Sequence, residues 1–161
     1  MVLRFGAEAA FDYHNPSCAE DIRTYTKNQL SYSFDCISEA DTTSLCYGAI
    51  GRAGGRYVSL EPPRETVTQT RPRTVEASWV MGLTLFGRRL ELDGEYSRDA
   101  LPQDRLFGAQ AFAAVEALLH RGLIDPHPIA LMPGEWEGVL RGVDIIRKEP
   151  PSGRKLVYKV C

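Results

Sequence analysis

The chain lacks a long apolar run: no stretch of its 161 residues approaches the ~18 consecutive apolar side chains that suggest a bilayer span. Its opening, residues 1–10, is too short and too interrupted, by Arg4 and Glu8, to read as a secretory leader. Both absences point to a cytoplasmic protein with no membrane association. Neither sign of charge dominates either. With 19 Lys and Arg against 21 Asp and Glu, interspersed along the chain, the basic face of a nucleic-acid binder is missing. Histidine is scarce: His14, His120 and His127 have no metal-ligand spacing and no nucleophile in a recognisable elbow beside them, so no metal site is expected. The four cysteines, Cys18, Cys36, Cys46 and Cys161, form no Cys-x-x-Cys pair and read as reduced thiols rather than zinc ligands or a disulfide frame.

What is present is the balance of a globular chain, 43% apolar and 25% charged. Residues 1–5 read as the end of a helix closed by Gly6, and residues 9–12 as a short strand. Asn15 as cap and Pro16 in the first turn open a helix with Ile22 and Tyr25 facing inward. Residues 32–37 suit a buried strand. Ser38 with Asp41 offers a capping box for a helix that Gly51 stops, and Gly54 and Gly55 turn into a strand at 56–60. This alternation predicts a parallel sheet with crossover helices, half of a doubly wound domain. Residues 64–73 read as a loop, 74–86 as a strand-like stretch and 87–103 as a surface excursion. Residues 104–121 form a helix with Phe112, Val115, Leu118 and Leu119 on its apolar side. A strand at 128–132, a helix bearing Trp136, Val139, Leu140, Val143 and Ile146 on one face, a turn at Pro150, Pro151 and Gly153, and a strand at 155–160 complete the chain.

Glycines 48, 51, 54 and 55 imitate a dinucleotide fingerprint but run from helix to strand, whereas a phosphate loop runs from strand to helix so that helix-end N–H groups face the pyrophosphate. They read instead as a cap and a turn. Ligands of doubly wound folds bind beyond the carboxyl ends of the strands. That rule selects Asp12 with Tyr13, Ile37 with Ser38, and Leu60 with Glu61.

Phe11-Asp12-Tyr13, residues 22–28, Phe34-Asp35-Cys36-Ile37 and residues 49–60 follow one another as they do in one known family, and so do His127-Pro128 and Ser152-Gly153 leading into Lys155-Leu156-Val157. Together they resemble the later part of the trans-acting enoyl reductases of fungal polyketide biosynthesis, lovastatin-type members of the zinc-independent medium-chain reductases. The resemblance implies an α/β fold. Residues 1–122 would be the second half of a Rossmann domain, and 123–161 the C-terminal segment of the substrate domain. It implies an oxidoreductase that uses NADPH to reduce an enoyl thioester held on the acyl carrier of a polyketide synthase partner. By position, the cofactor-binding residues would be Tyr13 against the adenine end, Leu60 and Glu61 near the nicotinamide, and Ser152 and Gly153 at the closing turn beside it. No catalytic residue is assigned. The strand ending at Phe86 resembles an edge that joins two copies into a homo-oligomer in the wider superfamily. In the family's order the first strand, its phosphate loop, the ribose-reading strand and the N-terminal substrate domain precede Met1, and without them NADPH should bind weakly. The other function class that suits the residues is a shortened, redox-inactive relative that binds a synthase or cyclises its product in a shaped cavity.

Overall fold

A computed structural model describes residues 2–149 and 151–160; Met1, Pro150 and Cys161, which figure in the expectations above, lie outside the described residues. The chain divides into two compact units, Ala9–Ala111 and a smaller one made of Met1–Glu8 with Phe112–Cys161.

In the larger unit, Asn15 accepts hydrogen bonds from the backbone and side chain of Ser17 (both 3.1 Å), and the first helix, α1, begins after this turn at Cys18–Tyr25. Strand β1 is Tyr32–Asp35, α2 is Ala40–Ala49, β2 is Gly55–Ser59, α3 is the single turn Glu65–Thr68, and β3 is Val75–Trp79. The three strands form a parallel sheet in the order β1-β2-β3, with Ser33 opposite Tyr57 and Tyr57 opposite Ala77. The expected class, a parallel α/β sheet with helical crossovers, is what the chain adopts. Tyr47, Ile50, Tyr57 and Val75 make the core between α2 and the sheet. Gly55 allows β2 to start where it does, because a Cβ there would overlap the carbonyl of Ser31.

Four local expectations are corrected. Residues 9–12 are irregular rather than a strand, and among the described residues β1 pairs only with β2, so this segment joins no ladder there. The capping box of α2 sits one residue later than expected, with the Glu39 N–H donating to Thr42 Oγ1 (3.1 Å), because Ser38 is held left-handed (φ 66°) by the turn before it. Strand β1 is buried on one face only: Asp35 is 4% exposed, but Tyr32 is 71% and Phe34 60%, since β1 is an edge strand with one uncovered face. The strand expected to run to Phe86 ends at Trp79, and Gly82–Phe86 is a 3-10 helix closed by Gly87 at φ 65°. There local bonds, Thr84 N–H to Met81 O and Gly87 N–H to Thr84 O, win over the β propensity of the side chains. The loop expected at 64–73 contains the turn α3, and the excursion after Gly87 is drawn together by an antiparallel bridge between Leu90 and Arg98.

Helix α4, Pro102–His120, runs through the division, and its first part belongs to the larger unit. In the smaller unit β4, Ile129–Met132, is joined by α5, Glu135–Lys148, to β5, Lys155–Tyr158, and the two strands pair in parallel. Helix α5 does not meet its sheet with the apolar stripe that periodicity marks. Gly138 and Gly142 are its buried residues, whereas Trp136 and Leu140 stay 66% and 71% exposed. Glycines four apart leave a flat strip of backbone, and the Tyr158 ring lies on it: a Cβ at position 142 would overlap the Tyr158 hydroxyl.

Gly142→Ala should therefore cost about 1–3 kcal/mol of stability despite alanine's better helix propensity. Urea unfolding checks this, and most of the loss should vanish in a Tyr158→Leu background, where the overlapping atoms are gone.

Candidate functional site at the carboxyl ends of the strands

The chemistry of β1 decides how the strand ends. Asp35 is buried, at 4% exposure, and its carboxylate is saturated: Oδ1 accepts the N–H groups of Ile37 (3.0 Å) and Ser38 (2.8 Å), and Oδ2 accepts the hydroxyls of Thr42 (3.0 Å) and Tyr57 (2.9 Å). The first pair bends the chain out of the strand into the loop before α2. The second pair ties that loop to the helix and to β2. Ser38 continues the network, donating to the Asp35 carbonyl (3.1 Å) and accepting the N–H of Leu60 (3.0 Å), so the ends of β1 and β2 are fixed to one another. Burial alone would raise the Asp35 pKa, but the hydrogen bonds from Ser38, Tyr57, Ile37 and Thr42 outweigh it, and the carboxyl ionises below its usual range. Burial, with the adjoining Asp35 carboxylate, pushes the Tyr57 phenol up to about 12.

Beyond these ends lie two cavities that share Ile37 and Glu39. One, of about 570 Å³, has Ile37, Ser38, Glu61, Arg64, Glu65 and Tyr96 in its walls. The other, of about 530 Å³, is lined by Tyr13, His14, Ile37, Glu39, Thr42 and Leu45 among others. Ser38 and Glu61 thus line the first cavity and Tyr13 the second, with Ile37 and Glu39 common to both, while Leu60, 43% exposed, lines neither. The Tyr13 ring leans on the His14 ring (4.0 Å between centroids), and His14 Nδ1 lies 3.1 Å from Asp12 Oδ1. The His14 backbone N–H, then its ring, hold the Asp12 pKa below the usual value. Ser152 and Gly153 lie in the smaller unit, in the tight turn before β5, where Gly153 has φ 67°.

Sequence reasoning passed over the residues that fasten the excursion to the crevice. Tyr96 donates its hydroxyl to Glu61 Oε2 (2.8 Å) and meets the Trp79 ring edge-on (5.6 Å), while the Arg98 guanidinium sits 4.5 Å above Trp79. Nothing in the sequence marks Tyr96, which lies in a segment without period; only its neighbours in space give it a role. Among the described residues no group of three or more His, Cys, Asp or Glu could hold a metal ion, and no helix is long and apolar enough to cross a membrane.

No family model matches the chain. Over its full length it is 60% identical to the trans-enoyl reductase thnE of Trichoderma harzianum, and over 99% of it 59% identical to the trans-enoyl reductase caaB of Aspergillus niger. A third, traG of Penicillium crustosum, is 56% identical over 99% of the chain. By sequence, this chain is similar to the trans-enoyl reductases. It spans 44% of the length of each of these three relatives, so it corresponds to under half of a trans-enoyl reductase. The fold agrees. The JamJ enoyl reductase in its apo form superposes with a TM-score of 0.66 at 13% identity, and the CurF ER cyclopropanase of the curacin A pathway with 0.66 at 18%, each covering 98% of this chain and 44% of the other. The expected resemblance to the later part of these reductases, with its partial doubly wound sheet, therefore holds.

Two variants test the network under the crevice. Asp35→Ala leaves two hydroxyls and two N–H groups without their buried acceptor and should cost roughly 2–4 kcal/mol in chemical denaturation. Because the folded carboxyl ionises below its unfolded value, its stabilisation is complete above about pH 4 and fades as pH drops through the folded value. Tyr57 works at the other extreme. Its unfolded phenol ionises near pH ~10 and its folded one only near 12, so stability should fall between those values, a loss absent from Tyr57→Phe.

Proposed function

We propose that this chain contributes the cofactor-facing crevice of an enoyl reductase that uses NADPH and acts in trans on an enoyl thioester carried by a fungal polyketide synthase. The single observation behind this reading is the meeting of Tyr13, Ile37, Ser38 and Glu61 around the carboxyl ends of β1 and β2, in a chain 60% identical to a trans-enoyl reductase. The walls suit the rings of a dinucleotide better than its phosphates. Tyr13 and Ile37 bring apolar groups to the second cavity, whereas the first holds the four carboxylates of Glu39, Glu61, Glu65 and Glu95 with one arginine, Arg64. Neutralising the pyrophosphate thus falls to groups other than these, in keeping with the weak affinity inferred for the chain by itself.

When bound, the cofactor supplies the hydride. Tyr13 offers a ring face for the adenine. Leu60 and Glu61, held in place through Ser38 and Tyr96, position the nicotinamide end, and Ser152 and Gly153 are read as cofactor contacts at the closing turn. We assign no side chain to the returning proton. The 123–161 segment is read as the substrate-domain portion, and the protein as cytoplasmic. A redox-inactive, cyclase-like role is not adopted, because the named relatives in the comparison are reductases.

Titrating the purified chain with NADPH and following nicotinamide fluorescence tests the reading. A saturable change is expected, and Tyr13→Ala should weaken it about 5- to 100-fold, the range for loss of one base-stacking aromatic. A flat titration, or a saturable one that ignores Tyr13→Ala and Glu61→Lys alike, would remove the crevice from the cofactor's path.

A further inference from the structure

Charges that alternate along the chain are sorted by the fold. The strands of the larger unit are parallel, so the loops entering β1, β2 and β3 share one end of the sheet and the loops leaving them share the other. In the segments leaving β1 and β2, residues 36–45 and 60–66, stand the carboxylates of Glu39, Asp41, Glu61 and Glu65, and Arg64 is the one Lys or Arg among them. The entering end is the reverse. Residues 23–31, 50–56 and 69–76 carry Arg23, Lys27, Arg52, Arg56, Arg71 and Arg73 against one carboxylate, Glu76. These three segments form one surface: the Gly51 N–H donates to Leu30 O (2.8 Å), the Arg52 N–H to Asn28 Oδ1 (3.1 Å) and the Gly55 N–H to Thr74 O (2.8 Å).

Half of the cations hold that surface together. Arg71 donates to the carbonyls of Tyr47 (3.0 Å), Ile50 (2.8 Å) and Gly51 (2.6 Å), and Arg23 to that of Gly48, so both cap the end of α2, where carbonyls are left over and positive charge suits the dipole. Arg56 pairs with Glu76 (3.2 Å). The other three, Lys27, Arg52 and Arg73, are exposed and, among the described residues, take part in no ion pair. The turn that presents Lys27 is fixed. Lys27 and Asn28 are both left-handed (φ 52° and 62°), and their N–H groups donate to Thr24 O (3.0 Å) and Arg23 O (2.7 Å).

A formal net charge of -2 gives the whole chain no attraction for an acidic partner. Screening confines each charge to about 8–10 Å, however, so a molecule approaching the entering end meets Lys27, Arg52 and Arg73 rather than the sum. We propose that this end of the sheet docks an acidic face of the polyketide synthase. Three unpaired cations are few for a nucleic acid, whose binders can make ~6–10 phosphate contacts, but they suffice to steer and orient a protein. Location gives the second argument. A protein that works in trans on a tethered chain needs a hold that leaves its mouth open, and both cavities of the crevice lie at the opposite end of the same strands. The inference rests on the synthase reading above and not on the cofactor assignment.

The experiment immobilises a purified polyketide synthase without an enoyl reductase domain, from the organism that makes this chain, and measures binding of the chain at ~0.05 M and ~0.3 M salt. The chain should bind at the lower salt and lose about tenfold or more in affinity at the higher. Lys27→Glu/Arg52→Glu/Arg73→Glu should weaken binding about 30-fold or more, mainly through slower association, with circular dichroism unchanged. Reversing Arg88, Arg121 and Lys159 instead changes the net charge equally and should weaken it less than about threefold. Binding that survives the first triple reversal, or falls as far with the second, overturns the docking face and leaves the synthase reading standing. Absence of binding by the unaltered chain overturns both, with NADPH titration left as a separate question. Duplex DNA or phosphatidylserine vesicles bound as tightly as the synthase, and released by the same reversal, would overturn the assignment to a protein partner.

Discussion

The larger unit is organised around one buried carboxylate. Asp35 has four hydrogen-bond donors around it, two from the loop that follows its own strand, one from α2 and one from β2. An ionised group shielded from water is costly unless its lone pairs are met. Here they are all met by donors from different elements, so the same energy that solvates the charge also fixes the mutual position of those elements. Thr43 extends the set by reaching the Tyr57 hydroxyl (3.1 Å), and Ser38 extends it to Leu60. The loop geometry at the strand ends is thus a consequence of desolvation.

From that anchor the crevice follows with few further choices. Holding Ser38 left-handed turns Ile37 and Glu39 outward into both cavities, and fixing Leu60 leaves Glu61 to face Tyr96. The excursion between β3 and α4 is secured by contacts of another kind, an aromatic edge and a guanidinium on the half-buried Trp79, with one hydrogen bond from Tyr96 to Glu61. One side of the crevice is therefore set by a buried polar network, and the other by a strap held mainly through Trp79. The rigid side is the one that carries the residues matched to the family motifs.

How much of this the sequence discloses depends on whether the cause is local. Alternation of apolar runs with glycine turns disclosed β2 and α2, and the direction of the glycines from helix to strand correctly rejected a phosphate loop, because these features rest on backbone geometry within a few residues. The segment 9–12 looked like a strand for the same local reasons, yet a strand exists only in a ladder, and among the described residues none is offered. Asp35 figured in the sequence only within the run 32–37 and the motif Phe34-Asp35-Cys36-Ile37; its importance lies in Tyr57, 22 residues away, which no spacing rule connects to it. The positions of Leu60 and Glu61 at a strand end were legible from topology, whereas that of Tyr13 was argued from a strand at 9–12 that does not form. Tyr96 was not, since it owes its place to a tertiary contact made by a patternless loop.

Helix α5 shows what periodicity does and does not specify. An apolar stripe states that a surface gains by leaving water, at about 25 cal/mol per Å², but it does not name the surface that receives it. The partner β5 instead uses the two-glycine strip, where close approach of a Tyr158 ring to backbone gives dispersion contacts that larger side chains would prevent. A helix in a layered fold has more than one side to satisfy, and the side with the smaller residues permits the closer neighbour. Small residues at i and i+4 therefore identify the face that packs against the helix's own sheet, and the large apolar residues beside them identify the face that has still to be matched.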